Sequence, residues 1–130
     1  IDVFIMANPP VTTQTLEAFS AAWNAHDIDA LMSFMAPNCI FETVSGTNVF
    51  GNRFEGQDAV RTAFESAWKN FPDAQWLNGK HFVAGDRGVS EWLFVGTGLD
   101  GKRVEANGVD IFTFADGKIL VKNAFRKMRT

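Results

Sequence analysis

The sequence predicts an α+β domain in which a curved antiparallel sheet wraps around three N-terminal helices and forms a cone-shaped pocket. In the first half of the chain, apolar residues recur at helical spacing. In the second half, long strand-like segments follow one another with turn signals between them. Helices followed by a run of antiparallel strands are typical of α+β folds. Small ligands usually bind in concave apolar cavities, and a curled sheet over helices would form one.

Three segments are predicted as helices. The first is capped by Thr12 or Thr13 and ends near Ala25. The second begins after Asp27 and ends at residues 37–38 (PN), and the third begins after Gly56 and ends at residues 72–73 (PD). Their buried stripes consist of apolar residues at helical spacing: Leu16, Phe19 and Trp23 in the first, Ile28, Leu31, Met32 and Met35 in the second, and Val60, Phe64, Ala67, Trp68 and Phe71 in the third.

Strands are predicted in five segments. A first strand covers residues 39–44 and is followed by a loop rich in Gly, Asn and Ser. Four longer strands then make the sheet, and one of their faces is expected to pack on the helices. They cover residues 76–84, 89–97, 104–114 and 119–125. The last two are joined at residues 116–117 (DG), a dipeptide typical of hairpin turns.

Size and composition restrict the kind of protein. The chain has 130 residues, of which 46% are hydrophobic and 21% charged, as expected for one globular domain. We expect residues 1–12 to be an N-terminal extension and residues 13–130 a single domain. The net charge of -3 argues against nucleic acid as a partner. No apolar run approaches the ~20 residues of a membrane span, so no membrane partner is expected.

The N-terminal residues, the cysteine and the histidines argue against a secretion signal, a disulfide and a metal site. Residues 1–5 (IDVFI) are an expression remnant, a short β-strand arm or a true extension, and they lack the features of a secretion signal. We therefore expect a cytoplasmic protein. Cys39 is the only cysteine, which excludes an internal disulfide and a cysteine-based metal site. The two histidines, His26 and His81, have no cluster of acids at ligand spacing, so neither a metal nor another cofactor is expected.

Asp110 is the strongest candidate for an acid or base. It shares a strand face with Gly108, Phe112 and Phe114, a face that should be buried. A buried ionised carboxylate is costly unless it is paired, and no Lys or Arg shares this face between residues 106 and 114. We therefore expect the neutral carboxyl to be favoured and Asp110→Asn to keep or raise the stability. The alternative is a structural carboxyl bonded to a backbone N–H or an indole.

Two further residues are weaker candidates for proton transfer. Glu91 would face the cone opposite Asp110 if the odd positions of its strand point inward, but an outer-surface or interface position is the alternative. His81 lies on the adjacent strand, where an imidazole could shuttle protons or could lie on the surface. On the last strand, Lys122 and Arg126 have the opposite parity to Ile119 and are expected to be solvated or at an interface.

The residues expected to contact a ligand are mostly aromatic. The chain has thirteen Phe, four Trp and no Tyr, so a phenol cannot serve as the acid. Aromatic rings at regular spacing are more often part of a core, but in a cone they could also stack a flat ligand. The candidate ligand-binding residues are Phe19, Trp23, Phe41, Thr43, Phe54, Phe64, Trp68, Leu93, Phe112 and Asn123.

The order of these elements is similar to that of the nuclear transport factor 2-like superfamily, in particular its SnoaL-like and ketosteroid isomerase-like branch. Four motifs carry the resemblance: residues 23–27 (WNAHD), 54–56 (FEG), 109–112 (VDIF) and 116–119 (DGKI). It covers roughly residues 13–127. The superfamily includes isomerases, polyketide cyclases, dehydratases, carriers and adaptors, so the fold alone does not determine the function.

The resemblance also implies roles for individual residues. Asp110 aligns with the protonated, hydrogen-bonding aspartate of ketosteroid isomerase. In that enzyme, the surroundings of each carboxyl group determine whether it acts as a base or as a hydrogen-bond donor. Thr43 aligns with the general-base aspartate and Phe19 with the oxyanion tyrosine, and neither can perform that role. Steroid isomerisation is therefore not expected. SnoaL-type cyclases resemble this chain in relying on a carboxylate in the pocket.

Three functions are consistent with this interpretation. The first is proton-transfer chemistry on a small apolar organic molecule, such as isomerisation, cyclisation or dehydration, with Asp110 as the acid or base. The second is ligand binding or transport without catalysis, and the third is a protein–protein adaptor. A homodimer is also expected, because Val109 and Ile111 would be exposed on the outer sheet face.

Overall fold

Residues 8–130 are described by the structure, a computed structural model that contains three helices and six strands in this part of the chain. The interpretations given for residues 1–5 lie outside the described residues. The helices are α1 (Thr13–Asn24), α2 (Ile28–Ser33) and α3 (Gln57–Asn70). The strands are β1 (Met35–Glu42), β2 (Arg53–Glu55), β3 (Gln75–Ala84), β4 (Arg87–Thr97), β5 (Arg103–Ala115) and β6 (Lys118–Arg126).

The first and third helices form where the sequence predicts them. At the start of α1, the Thr12 hydroxyl accepts a hydrogen bond from the Thr15 backbone, and the Thr15 hydroxyl accepts one from the Thr12 backbone. This reciprocal cap satisfies two N–H groups that the helix itself leaves free. The apolar stripes of both helices contribute to the main core, where Leu16, Val60 and Phe64 are at most 1% exposed.

The second helix is shorter than predicted. It ends at Ser33, and Met35 already belongs to β1, which pairs in parallel with β6. The pairing is irregular between Met35 and Ile40, and Pro37 lies in this interval. Because a proline cannot donate to a regular ladder, an irregular segment is where a strand can hold one. The proline therefore marks a break in strand pairing rather than the end of a helix.

The six strands form one mixed sheet in the order β2-β1-β6-β5-β4-β3. All neighbouring pairs are antiparallel except β1 and β6. The prediction of five strands missed β2, which contains only three residues. The helices lie against one face of the sheet, here called the inner face. The α+β architecture and the curved sheet packed on helices are confirmed.

The burial of β4 and β5 shows which residues face inward. On β4, Ser90, Trp92 and Phe94 are buried, while Glu91 between them is exposed. On β5, the side chains of Asp110 and Phe112 are buried, as the alternation predicts. The register aligns Ser90 with Asp110 and Trp92 with Gly108. Ser90 and Asp110 therefore lie side by side on the inner face, and Trp92 and Gly108 lie side by side next to them.

A bulge in β6 reverses the alternation after Ile119. Phe114 pairs with Ile119, but Thr113 pairs with Val121, so Leu120 is the extra residue. Such an extra residue moves each following side chain to the face opposite the one that regular alternation predicts. Ile119 and Lys122 are therefore both buried on the inner face, at 0% and 6% exposure. The prediction that Lys122 is solvated is wrong for this reason.

No helix in residues 8–130 is long and apolar enough to span a membrane.

Candidate functional site

A buried ion pair lies at the centre of the inner sheet face. The Nζ atom of Lys122 is 2.9 Å from Oδ1 of Asp110, and the two side chains are only 7% and 8% exposed. The other carboxylate oxygen, Oδ2, accepts a hydrogen bond of 3.1 Å from the indole Nε1 of Trp92. The sequence predicts a buried Asp110, and an indole donor is one of the two partners considered for it. The cation was not predicted, because it comes from the neighbouring strand.

The ammonium group of Lys122 is also surrounded by aromatic rings. Its Nζ lies 4.8 Å from the ring centre of Phe41, 5.1 Å from that of Trp23 and 5.8 Å from that of Phe64. Ring faces attract a cation through their quadrupole, most strongly where water is excluded. The rings and Asp110 together therefore compensate part of the cost of burying this charge.

Gly108 makes room for the indole that binds Asp110. It lies opposite Trp92 in the register of β4 and β5. A Cβ atom on this glycine would overlap Cη2 and Cζ3 of Trp92 and the backbone oxygen of Phe125. The absence of a side chain at residue 108 therefore allows the Trp92 ring to lie across β5 and reach the carboxylate.

His81 is connected to the same row of the sheet through Ser90. The register aligns His81 with Ser90 and Ser90 with Asp110, and Nδ1 of His81 shares a hydrogen bond of 2.7 Å with Oγ of Ser90. Burial lowers the pKa of His81, against the opposing effect of the carboxylates of Glu17 and Asp110. Burial thus favours the neutral imidazole. His81 faces inward, and it is separated from Asp110 by one serine.

Two cavities adjoin the ion pair. The larger has a volume of about 380 Å³ and opens between α3, β1 and the inner sheet face. Lys122 lines it, together with aromatic and small side chains, whereas Asp110 does not. The smaller, of about 20 Å³, is lined by Ser20, Ser90, Asp110 and Lys122 among apolar residues. It is large enough for about one water molecule. Lys122 thus stands between the larger cavity and the carboxylate.

Several predicted ligand-binding residues do line these cavities. Trp23 lines both; Phe41, Thr43 and Phe54 line the larger, and Phe19 and Phe112 line the smaller. Phe64 and Trp68 line neither and pack around Trp23 in the core. The hydroxyl of Thr43 donates to the backbone of Ser45 and accepts from Asn52.

Three predicted site residues face the other way. Glu91 is exposed on the outer sheet face, opposite Lys80 and Val109, because the even positions of β4 are the inward ones. The prediction that Leu93 contacts a ligand in the cone is therefore wrong, and of the two positions considered for Glu91 the outer surface is the observed one. Asn123 faces outward because the bulge at Leu120 reverses the alternation of β6, which also turns Lys122 inward.

Arg126 is a further cavity residue that sequence reasoning placed outside. It pairs with Gly108 on the inner face and lines the larger cavity. The only sequence signal for this reversal is the run of three apolar residues from Ile119 to Val121, which breaks strict alternation. Within residues 8–130, no group of three or more His, Cys, Asp or Glu side chains could hold a metal ion.

Comparisons with solved structures show the fold. A candidate polyketide cyclase from Pseudomonas putida superimposes with a TM-score of 0.76 at 18% identity, with 90% of each chain covered. The protein TerC, co-crystallised with polyporic acid, has a TM-score of 0.75 at 19% identity and covers 88% of this chain and 89% of its own. A hypothetical protein of ketosteroid isomerase-like fold from Catenulispora acidiphila, in complex with trimethylamine, has a TM-score of 0.76 at 15% identity. The match covers 88% of this chain and 86% of that protein.

The sequence comparison identifies the family. Among curated proteins, no sequence matches the chain. The model of the SnoaL-like domain matches residues 16–121, a range that begins in α1 and ends in β6. The chain therefore belongs to the SnoaL-like domain family.

Proposed function

We propose that the protein catalyses proton transfer on a small, mostly apolar organic molecule, in a reaction of the isomerase, cyclase or dehydratase type. The observation that carries this proposal is the buried Asp110–Lys122 ion pair, whose ammonium end lines the larger cavity. Reactions of these types pass through enolate-like states, in which negative charge develops on a substrate oxygen. A fixed cation in a dry site stabilises such charge without reorganising.

The two members of the pair have different roles in this proposal. The Lys122 ammonium donates a hydrogen bond to the substrate oxygen and stabilises the charge that develops there. Because Asp110 does not line the larger cavity, the reacting carbon has to reach past Lys122. There Asp110 takes up the proton that leaves this carbon and returns it to a second carbon or to a leaving hydroxyl. Trp92 and Gly108 position the carboxylate. His81 and Ser90 are a route through which Asp110 could exchange its proton with solvent, because they continue the same row toward the sheet edge.

A second candidate is binding or transport without catalysis. It is favoured by the fact that each oxygen of Asp110 already has a partner, Lys122 on one side and Trp92 on the other. A carboxylate that is held in this way could serve only to keep a cation in the pocket. In that case the protein would bind an aromatic ligand and leave it unchanged.

An exchange experiment distinguishes the two candidates. 2-Tetralone, a flat aryl ketone with acidic C–H bonds, is incubated with the protein in D₂O, and the loss of its α-proton signals is followed by NMR. We expect protein-dependent exchange that falls by about 10²-fold or more in the double variant Asp110→Asn/Lys122→Met. The matched control is Glu91→Gln, on the exposed outer face, which should exchange at the native rate. Binding of the ketone without exchange would support the carrier, and exchange that persists in the double variant would refute the assigned roles.

We also propose a homodimer through the outer sheet face. Val109 and Ile111 lie there, both half-buried, and Phe125 is the direct neighbour of Val109. Phe82 lies on the same face two strands from Ile111, and Phe82 and Phe125 are 57% and 50% exposed. An exposed apolar area of this kind usually marks an interface. We expect a dimer in sedimentation at micromolar concentration and a monomer for Val109→Arg, with Glu105→Gln unchanged. A monomeric native protein would contradict this.

A further inference from the structure

The larger cavity has an excess of positive charge. Lys122 and Arg126 are the charged residues that line it, and no Asp or Glu of the described chain lines it with them. The charge of Lys122 is compensated by Asp110. The guanidinium of Arg126 makes no ion pair or hydrogen bond with any residue in the range 8–130 and contacts the ring of Phe94. One uncompensated positive charge therefore remains in a cavity that is otherwise lined by aromatic, small and neutral polar side chains.

The position of Arg126 explains why this charge is available to a ligand. The side chain is partly buried on the inner face, opposite Gly108, and its guanidinium lies 4.8 Å above the ring of Phe94. Desolvation lowers the pKa of Arg126, but a guanidinium remains charged at any working pH. Holding an arginine in a partly dry site without a counter-ion costs free energy. A bound anion would remove that cost.

We propose that Arg126 anchors an anionic group of the ligand and that the ligand is an aromatic organic acid. Its carboxylate lies against the guanidinium, whose planar fork matches a carboxylate. Arg126 and Lys122 are four residues apart on one strand, or about 13 Å at ~3.3 Å per residue. A molecule of two or three fused rings spans this distance, with its reacting end at Lys122. The inference rests on the proposed function, since it names the substrate class for the same cavity.

The test is equilibrium binding of a matched pair of probes. Anthracene-2-carboxylate and the neutral anthracene-2-carboxamide have nearly the same shape, and the dissociation constant of each is measured by titration calorimetry. We expect the acid to bind at least about 10-fold more tightly than the amide, since a hydrogen bond between two charged groups is stronger than one to a neutral group. Arg126→Gln should remove this preference by weakening only the acid. Arg126→Lys should keep part of it, because it keeps the charge but not the fork.

A second arginine serves as the control. Arg129 is exposed, does not line this cavity and donates to the backbone of Glu105. Arg129→Gln should therefore bind both probes as the native protein does. Equal affinity of the native protein for acid and amide, no binding of the acid at millimolar concentration, or a preference that survives in Arg126→Gln would each overturn the proposal. This test measures binding and not turnover, so its result is independent of the proton-exchange experiment. If the protein prefers the acid but catalyses no exchange, the proposed reaction is refuted and the role of Arg126 as an anion anchor is supported.

Discussion

Asp110→Asn is expected to lower the free energy of unfolding by about 3–5 kcal/mol, the usual cost of removing one partner of a buried ion pair. The asparagine has nearly the shape of the aspartate but leaves the Lys122 ammonium without a counter-ion, 93% removed from solvent contact. The three aromatic rings around Nζ are the same in both proteins, so they do not replace the lost counter-ion. Urea unfolding at pH 7 measures the change.

Glu91→Gln is the control for this variant. It removes a carboxylate of similar chemistry from an exposed position on the adjacent strand, and it should change the stability by no more than about 0.5 kcal/mol. An Asp110→Asn protein as stable as the native one would contradict the expected loss and would agree with the expectation from the sequence, which took no cation near Asp110 into account.

Gly108→Ala is expected to have the second largest effect. A methyl group at this position would overlap the Trp92 ring and also the backbone oxygen of Phe125, and the backbone cannot rotate away as a side chain can. Overpacking of this kind costs about 1–3 kcal/mol, and displacement of Trp92 would add the loss of its hydrogen bond to Asp110. We therefore expect a loss of about 2–4 kcal/mol in urea unfolding, together with an altered tryptophan fluorescence spectrum.

The neighbouring residue provides the control for Gly108→Ala. Asn107 is exposed on the outer face of the same strand, so Asn107→Ala should change neither the stability nor the spectrum appreciably. If Gly108→Ala were as stable as Asn107→Ala, the Trp92 indole could not be packed across β5 as described.

Much of the fold follows from local sequence patterns. The stripe of α1 and the alternation of β5 correctly predict which side chains are buried, because the periods of helix and strand are intrinsic to the backbone. In α3 the stripe does so for Val60 and Phe64, while its other members are partly buried. Asp110 was found in this way, since its neighbours on the strand face are apolar. The short strand β2 and the early end of α2 were missed, because both depend on pairing with distant strands.

The site itself was only half predictable. Whether Lys122 faces Asp110 depends on the bulge at Leu120, which is a property of the pairing between β5 and β6 rather than of either strand alone. One extra residue moved Lys122 and Arg126 into the cone and Asn123 out of it. A cation near Asp110 need not lie on its own strand, because adjacent strands lie within about 5 Å of each other.

The central claim is that Asp110 and Lys122 act as one ion-paired unit at the inner end of the cavity. A double-mutant cycle with Asp110→Asn, Lys122→Met and the double variant tests it directly, with urea unfolding as the measurement. Each single variant leaves one buried charge without its counter-ion, whereas the double variant removes both charges. We expect a coupling energy of at least about 3 kcal/mol, with the double variant more stable than either single one. Single effects that add to within about 0.5 kcal/mol would contradict the claim.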